Sequence, residues 1–229
     1  MRILAIDTAL PAASACVFDA AATEPAALES LAMERGHAEA LLPLIERVVE
    51  RAGGFATIER VAVAVGPGSF TGIRIGLAAA HAIALARKID IVGVSTLSAL
   101  AAPHILEPFE GAIVSAIDAR HGQIFVAAFG ADGRALLAPR RASPAEALAE
   151  LGDMPLSVVG SGAQLFAAEA AKNDRPVAIL DERAAPDILF VAKLGLVAQA
   201  ETAPARPLYL KAPDAKPLPG RVAELEGAV

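Results

Sequence analysis

The chain is poor in the residues that usually mark a secreted, membrane-bound or metal-holding protein. It has one cysteine in 229 residues, no tryptophan, one tyrosine and an aromatic content of 4%. The lone Cys16 excludes an internal disulfide and fits a reducing compartment. No lysine precedes Lys88, so the first third of the chain lacks the phosphate lysine of a Walker A loop. No uncharged apolar run is long enough to span a bilayer, and Asp7 interrupts the apolar start, which excludes a secretory leader. Acidic residues outnumber basic ones by 26 to 20, for a net charge of −6. That balance argues against a protein that grips nucleic acid by itself. The histidines stand at 37, 81, 104 and 121, without a pair at ligand spacing or a cluster of Cys or carboxylates beside them. The expectation is a soluble cytoplasmic protein with no membrane partner and no resident metal.

What the chain does have is alanine, small aliphatics and glycine in telling places. Hydrophobic residues make up 55% of it, so a core of small side chains can form. The richest stretch runs from Val61 to Gly76. Val61 to Val65 reads as a strand buried on both faces. Gly66, Pro67 and Gly68 stop it, because proline removes a ladder donor and glycine permits positive φ. Ser69 or Thr71 then caps a helix that runs to about Arg87–Lys88. A strand, a glycine turn and a helix start can direct backbone N–H groups at an anion. The Rossmann spacing fails here, since Gly72 falls one place late. Close packing of helix on strand is the other reading, and both stay open. Along the helix Gly72, Gly76, Ala80 and Ala84 form a smooth stripe. Each interior glycine costs ~1 kcal/mol against alanine, so close approach of another backbone is expected there.

Around this stretch the pattern gives strands at Arg2–Ala9, Ala12–Ala20 and within Ala27–Glu34. A helix spans about His37–Arg51, and a strand covers Ile89–Val94. A short helix from Ser95 or Thr96 ends before Pro103. A second set follows: a hairpin of 112–119 and 123–129 around Arg120-His121-Gly122, and a helix from Ser143-Pro144 to Leu151. Then come a strand at Leu156–Val159, a helix at Gln164–Ala171, a strand at Val177–Leu180 and a helix from Pro186 to about Glu201. Beyond Pro204 the chain is proline-rich, with Pro207 to Lys211 a candidate edge segment. The halves echo each other: Ala5-Ile6-Asp7 matches Ala116-Ile117-Asp118, and Val65-Gly66-Pro67-Gly68 matches Val159-Gly160-Ser161-Gly162. This suggests an α/β duplication with a shorter second copy. The first domain covers 1–103, with 204–229 available to join it, and the second covers 104–203.

Gly66-Pro67-Gly68-Ser69-Phe70-Thr71-Gly72-Ile73-Arg74-Ile75-Gly76-Leu77 closely resembles the hallmark of the TsaB (YeaZ-like) family, the glycoprotease-like branch of the actin-like ATPase superfamily. Ile117 to Arg120 and Pro207 to Lys211 extend the resemblance over nearly the whole chain. The resemblance implies two tandem ribonuclease H-like domains and a part in making threonylcarbamoyladenosine at position 37 of tRNA. It implies a non-catalytic scaffold that binds a TsaD-like catalytic paralogue and a TsaE-like ATPase, forms a homodimer in isolation, and meets tRNA only through the complex. In that superfamily, aspartates at hairpin turns hold metal and phosphates, which makes Asp7, Gly66, Gly68, Ser69 and Asp118 the candidate nucleotide site. No intrinsic cofactor is expected; ATP or ADP with magnesium would enter with the complex. The paralogue's two metal-binding histidines resemble Thr96 and Leu100 here, and neither side chain can replace an imidazole. Neither Cys16, Ser69 nor Ser161 stands in a nucleophile context, so a peptidase has no support. A small nucleotide hydrolase or degenerate kinase remains the alternative. The expected partner surface combines the 37–51 helix, through Leu41, Leu44, Ile45 and Val48, with the smooth helix, through Gly72, Arg74, Ile75, Gly76, Ala79, Ala80 and Ile83.

Overall fold

Runs of small and β-branched residues, apolar on both faces, build the first sheet. A computed structural model describes residues 1–210. Strands β1 (Arg2–Asp7), β2 (Ala12–Asp19) and β3 (Ala27–Ala32) form an antiparallel meander. β4 (Arg60–Gly66) and β5 (Asp90–Ser95) add in parallel on the other side, giving the order β3-β2-β1-β4-β5. Helix α1 (His37–Arg51) buries Leu41, Leu44, Ile45, Val48 and Val49 on this sheet. α2 (Phe70–Arg87) lies beside α1, with Ser69 Oγ accepting from Gly72 N as its cap. α3 (Thr96–Ile105) follows β5.

The second half repeats this path. β6 (Ala112–Asp118), β7 (Ile124–Phe129), β8 (Ala135–Ala142), α4 (Pro144–Glu150), β9 (Leu156–Val159), α5 (Ala163–Ala171), β10 (Ala178–Asp181) and α6 (Ile188–Val197) give the order β8-β7-β6-β9-β10. Each sheet has five strands with the same connections, so the duplication holds strand by strand. The second copy is reduced: α4 and α5 have 7 and 9 residues where α1 and α2 have 15 and 18. α4 is held by a capping box between Ser143 and Glu146.

Four local expectations need correction. β8 is a strand that patterning missed, because Pro139 interrupts it; it is an edge strand whose register slips against β7, where a missing donor is tolerated. α3 continues through Pro103 to Ile105, because burial of Leu97, Leu100 and Ala101 holds its axis. α6 starts at Ile188, with the Asp187 carboxylate accepting from Leu189 N, and ends four residues before Glu201. The segment 207–210 is not a strand: it crosses the end of β4 with Leu208 N donating to Val65 O at 2.8 Å. Lys211 and the rest of the C-terminal segment lie outside the described residues.

The last helix of each half reaches the sheet of the other half. α3 sets Leu97, Leu100 and Ala101 against Ile113, Ile117, Ala127 and Phe129 of the second sheet. α6 sets Ile188, Val191 and Ala192 against Ile3, Ala5, Cys16 and Ala62 of the first. Arg60 Nη1 donates to the carbonyls of Gly195, Leu196 and Ala198 at 3.0–3.4 Å, which fixes the C-terminal end of α6 to β4. The expected boundary at 103/104 thus falls inside α3, and the span 104–203 contains a helix packed on the first sheet.

The smooth stripe of α2 faces inward, not toward a partner. Gly72, Gly76, Ala80 and Ala84 are all buried against the protein's own sheet. A Cβ at Gly72 would collide with the Thr8 carbonyl, and one at Gly76 would lie 2.6 Å from Thr8 Oγ1. The close approach inferred from the glycines is real, but the backbone approached is the β1–β2 turn. Gly76→Leu is therefore expected to unfold the chain, and Gly72→Ala to cost at least about 1–3 kcal/mol, lowering the melting temperature by several degrees. Thermal denaturation followed by circular dichroism checks both, and an unchanged melting point for Gly72→Ala would refute the packing.

Candidate functional site

A cleft of about 910 Å³ opens between the two halves. One wall is the start of α2 with the turn after β1: Leu10, Pro11, Gly68, Ser69, Thr71 and Ile75. The other is the β6–β7 turn, with Asp118, Arg120 and Ser161, and the entrance to α1 closes the end with Glu34, Arg35 and His37. Cleft and glycine turn sit at the C-terminal ends of the parallel strands, where open α/β sheets place their ligands.

Of the five candidate nucleotide residues, the cleft brings together three. Gly68 and Ser69 line it, and so does Asp118. Gly66 does not: it holds φ +100° at the end of β4, with Ile73 of α2 and the Leu208 carbonyl where a side chain would go. Asp7 does not either. It is 3% exposed, and its Oδ1 accepts from Ala9 N at 2.8 Å. The candidate set is thereby corrected: Asp7 does not join Asp118 in the cleft. The turn after Asp7 tucks beneath α2 and carries the carboxylate inward.

The glycine loop is largely committed to packing. Ser69 N donates to Ala9 O at 2.7 Å, Gly72 N to Ser69 Oγ at 3.2 Å, and a Cβ at Gly68 would collide with the Ala9 carbonyl. Thr8 Oγ1 donates to Gly72 O at 2.7 Å. These bonds consume donors that a phosphate cradle would have to offer. Asp118 Oδ1 accepts from Arg120 N at 2.7 Å, and Asp118 N donates to Ser161 Oγ at 3.2 Å, so this carboxylate stiffens its own turn. Arg120 and His121 hold left-handed φ of 65° and 53° there.

Burial pushes the Asp7 carboxyl up to about 6, against the pull of Ala9 N–H and the more distant His37. Buried in the core and bonded to Ala9 N, Asp7 is absent from the lining that Asp118 joins. Among the described residues no three His, Cys, Asp or Glu side chains converge on a point. Thr96 and Leu100 are buried in α3, away from the cleft surface. Arg35 and His37 join the cleft without a motif to announce them, and Arg120 joins it from the Ile117–Arg120 motif. Ser161 lay within the second glycine turn and could have been weighed as a turn-bracing hydroxyl.

The raised pKa gives a pH dependence. The unfolded carboxyl ionises near pH 4 and the folded one near 6, so stability from Asp7 is intact at low pH and is lost as pH rises through that window. Asp7→Asn stays neutral. It is expected to stabilise the protein at pH 7.5 by on the order of 3 kcal/mol, with the advantage vanishing toward pH 4. Urea denaturation across pH 4–8 checks this; a pH-independent difference would show that Asp7 does not carry it.

The profile of the family described as TsaD, tRNA N6-adenosine threonylcarbamoyltransferase, matches residues 31–213. The tRNA threonylcarbamoyladenosine biosynthesis protein TsaB of Escherichia coli is 37% identical over 133 residues, which span 58% of this chain and 56% of that protein. The TsaB protein of Haemophilus influenzae is 29% identical over 240 residues, covering 96% of this chain and 98% of its own length. YeaZ from Pseudomonas aeruginosa shares the fold, with a TM-score of 0.72 at 21% identity over 91% of this chain and 100% of that one.

Proposed function

The chain belongs to the TsaB/YeaZ-like proteins of the TsaD family, and from that membership we propose that it serves tRNA threonylcarbamoyladenosine biosynthesis as a non-catalytic scaffold subunit. The observation that carries this reading is the state of the cleft. Its glycine loop is bonded to the β1–β2 turn, and the Asp7 carboxylate is turned inward. Such a site is a poor place to hold magnesium and a transferring phosphate. The catalytic work then falls to a TsaD-like paralogue and the nucleotide turnover to a TsaE-like ATPase, in the cytoplasm, with ATP or ADP entering through the assembly.

The partner surface shifts from the expected residues to their outward neighbours. Leu41, Leu44, Ile45, Val48, Gly72, Gly76 and Ala80 are buried in the chain's own core and cannot meet a partner. On the outside of α1 and α2, Leu42 is 59% and Leu85 81% exposed. Pro43, Ala78 and Ala82 extend this outer surface, while Arg74 is exposed and Ile75, Ala79 and Ile83 are half-buried at its border. An apolar strip of this kind on an otherwise charged surface supports association with a second copy or with the paralogue.

The test is co-purification with a TsaD-like paralogue, alongside size-exclusion chromatography of the chain alone. The wild type should run as a dimer and capture the paralogue. Leu85→Glu and Leu42→Glu should do neither, with melting points within a degree or two, because exposed positions contribute little to folding. Retained association in both variants would place the interface elsewhere. Modified tRNA made by this chain alone, from threonine, bicarbonate and ATP, would overturn the scaffold reading. A melting shift of several degrees with sub-millimolar ATP and magnesium would favour the nucleotide hydrolase instead.

A further inference from the structure

Phe70, Arg74 and Tyr209 form a stack at the border of the proposed partner surface, and the scaffold reading gives the stack itself no role. The Arg74 guanidinium lies 3.7 Å from the centre of the Phe70 ring. Tyr209 stacks on Phe70 with 5.2 Å between centroids and 28° between planes. Arg74 Nε donates to the Tyr209 hydroxyl at 3.0 Å, which fixes the phenol in place. Phe70 is 52% and Tyr209 45% exposed. Holding down the C-terminal segment does not require this arrangement. Leu208 packs against the core under α1 and α2, and Leu210 against the cluster around α3. Between them Tyr209 turns outward.

The charge around the stack differs from that of the whole chain. No acidic residue occurs between Glu59 and Asp90, a span that contains all of α2 with Arg74, His81 and Arg87. None occurs between Glu201 and Asp214, where Arg206 precedes Tyr209. In a protein of net charge −6 these two adjoining segments carry no negative side chain, while Glu34, Glu39 and Asp118 stand across the cleft lining from Ser69 and Thr71. The stack also adjoins Ser69 and Thr71, which line the cleft.

We propose that the Arg74–Phe70–Tyr209 stack is a platform for an unpaired nucleobase of a single-stranded RNA loop. An exposed ring and a guanidinium plane, already ordered, accept a base on an open face at little further entropy cost, and neighbouring arginines meet the backbone phosphates. Tyrosine and arginine also anchor protein contacts. The two segments that carry the stack hold arginines and no acid, which favours the polyanion. Identifying the RNA as a tRNA anticodon loop rests on the function proposed above; the platform itself does not.

The experiment is fluorescence anisotropy at low, fixed salt with the full chain. The probes are a hairpin RNA with an adenosine-containing loop, a blunt duplex of the same stem, and AMP as competitor. The hairpin should bind more tightly than the duplex. Tyr209→Ala should weaken hairpin binding roughly 10-fold or more, the loss of one stacked base. Tyr209→Phe should stay close to wild type, since stacking needs the ring and not the hydroxyl. Should Tyr209→Ala melt early, Tyr209→Leu keeps apolar bulk without a π face and should lose the hairpin while folding normally. Displacement of the hairpin by sub-millimolar AMP would assign the platform to a free nucleotide; resistance to AMP would assign it to the RNA loop. No hairpin binding, or equal binding by wild type, Tyr209→Leu and Arg74→Gln, overturns the proposal. So does a Tyr209→Leu chain that keeps the hairpin but loses the paralogue, since the stack would then be a protein contact. If the assembled system makes no threonylcarbamoyladenosine while the variants still lose the hairpin, the function falls and the platform stands.

Discussion

The contact between the start of α2 and the turn after β1 is the constraint on which the rest of the first half depends. Thr8 and Ala9 present backbone carbonyls where side chains at Gly72 and Gly68 would otherwise stand. Ser69 N and Thr8 Oγ1 close the contact with hydrogen bonds at 2.7 Å each. Glycine is the only residue that leaves room, and this explains Gly72 inside the helix at a cost of ~1 kcal/mol, with Gly76 facing Thr8 Oγ1 one turn on. The burial regained is substantial, because the approach lets Ile73, Leu77, Ala80 and Ala84 close over β4. It also bears on the function proposed. Donors spent on the turn are withdrawn from any phosphate, and the side of α2 that remains free is the one carrying Arg74, Ala78, Ala82 and Leu85.

A second constraint joins the halves. α3 and α6 pack on each other and each on the opposite sheet, so neither half has a complete core without the other's helix. Gly195 of α6 presses on the Ala62 side chain of β4, and Arg60 gathers three carbonyls at the helix end. The C-terminal segment adds a strap along β5, where Gly93 N donates to Ala203 O and a Cβ at Gly93 would lie 2.5 Å from the Pro204 carbonyl. The two halves are therefore joined by a packed helical layer.

Much of this was legible because the signals are local. The buried strands read as apolar runs, the turns as glycine and proline breaks, and the start of α4 as Ser143 followed by Pro144. The duplicated Ala-Ile-Asp tripeptides and glycine turns disclosed the two-sheet plan. What escaped depended on which surface an element meets. The spacing of Gly72, Gly76, Ala80 and Ala84 announced a close approach without saying to what, and the outward residues of the same helix carried no comparable pattern. The exchange of α3 and α6 left no trace in periodicity, since a helix buried between two sheets reads the same whichever sheet it faces. The stack of Phe70 with Tyr209 joins residues 139 positions apart and needs the strap to be in place.

The two aspartates show how packing separates what duplication made alike. Each closes an Ala-Ile-Asp strand end, yet Asp7 is 3% exposed and Asp118 faces the cleft. The difference lies in the next four residues. After Asp118 the chain turns outward through left-handed Arg120 and His121, so its carboxylate remains solvated and braces the turn. After Asp7 the turn is drawn beneath the glycines of α2, and the carboxylate follows it into the core, where burial raises its pKa to about 6. At neutral pH an ionised Asp7 works against folding, while its bond to Ala9 N holds the turn that α2 rests on. The contact that shapes the first half is thus braced by the group that loses most by being there. The binding surfaces proposed lie outside the cleft, along α2 and the segment 203–210 that crosses beside it.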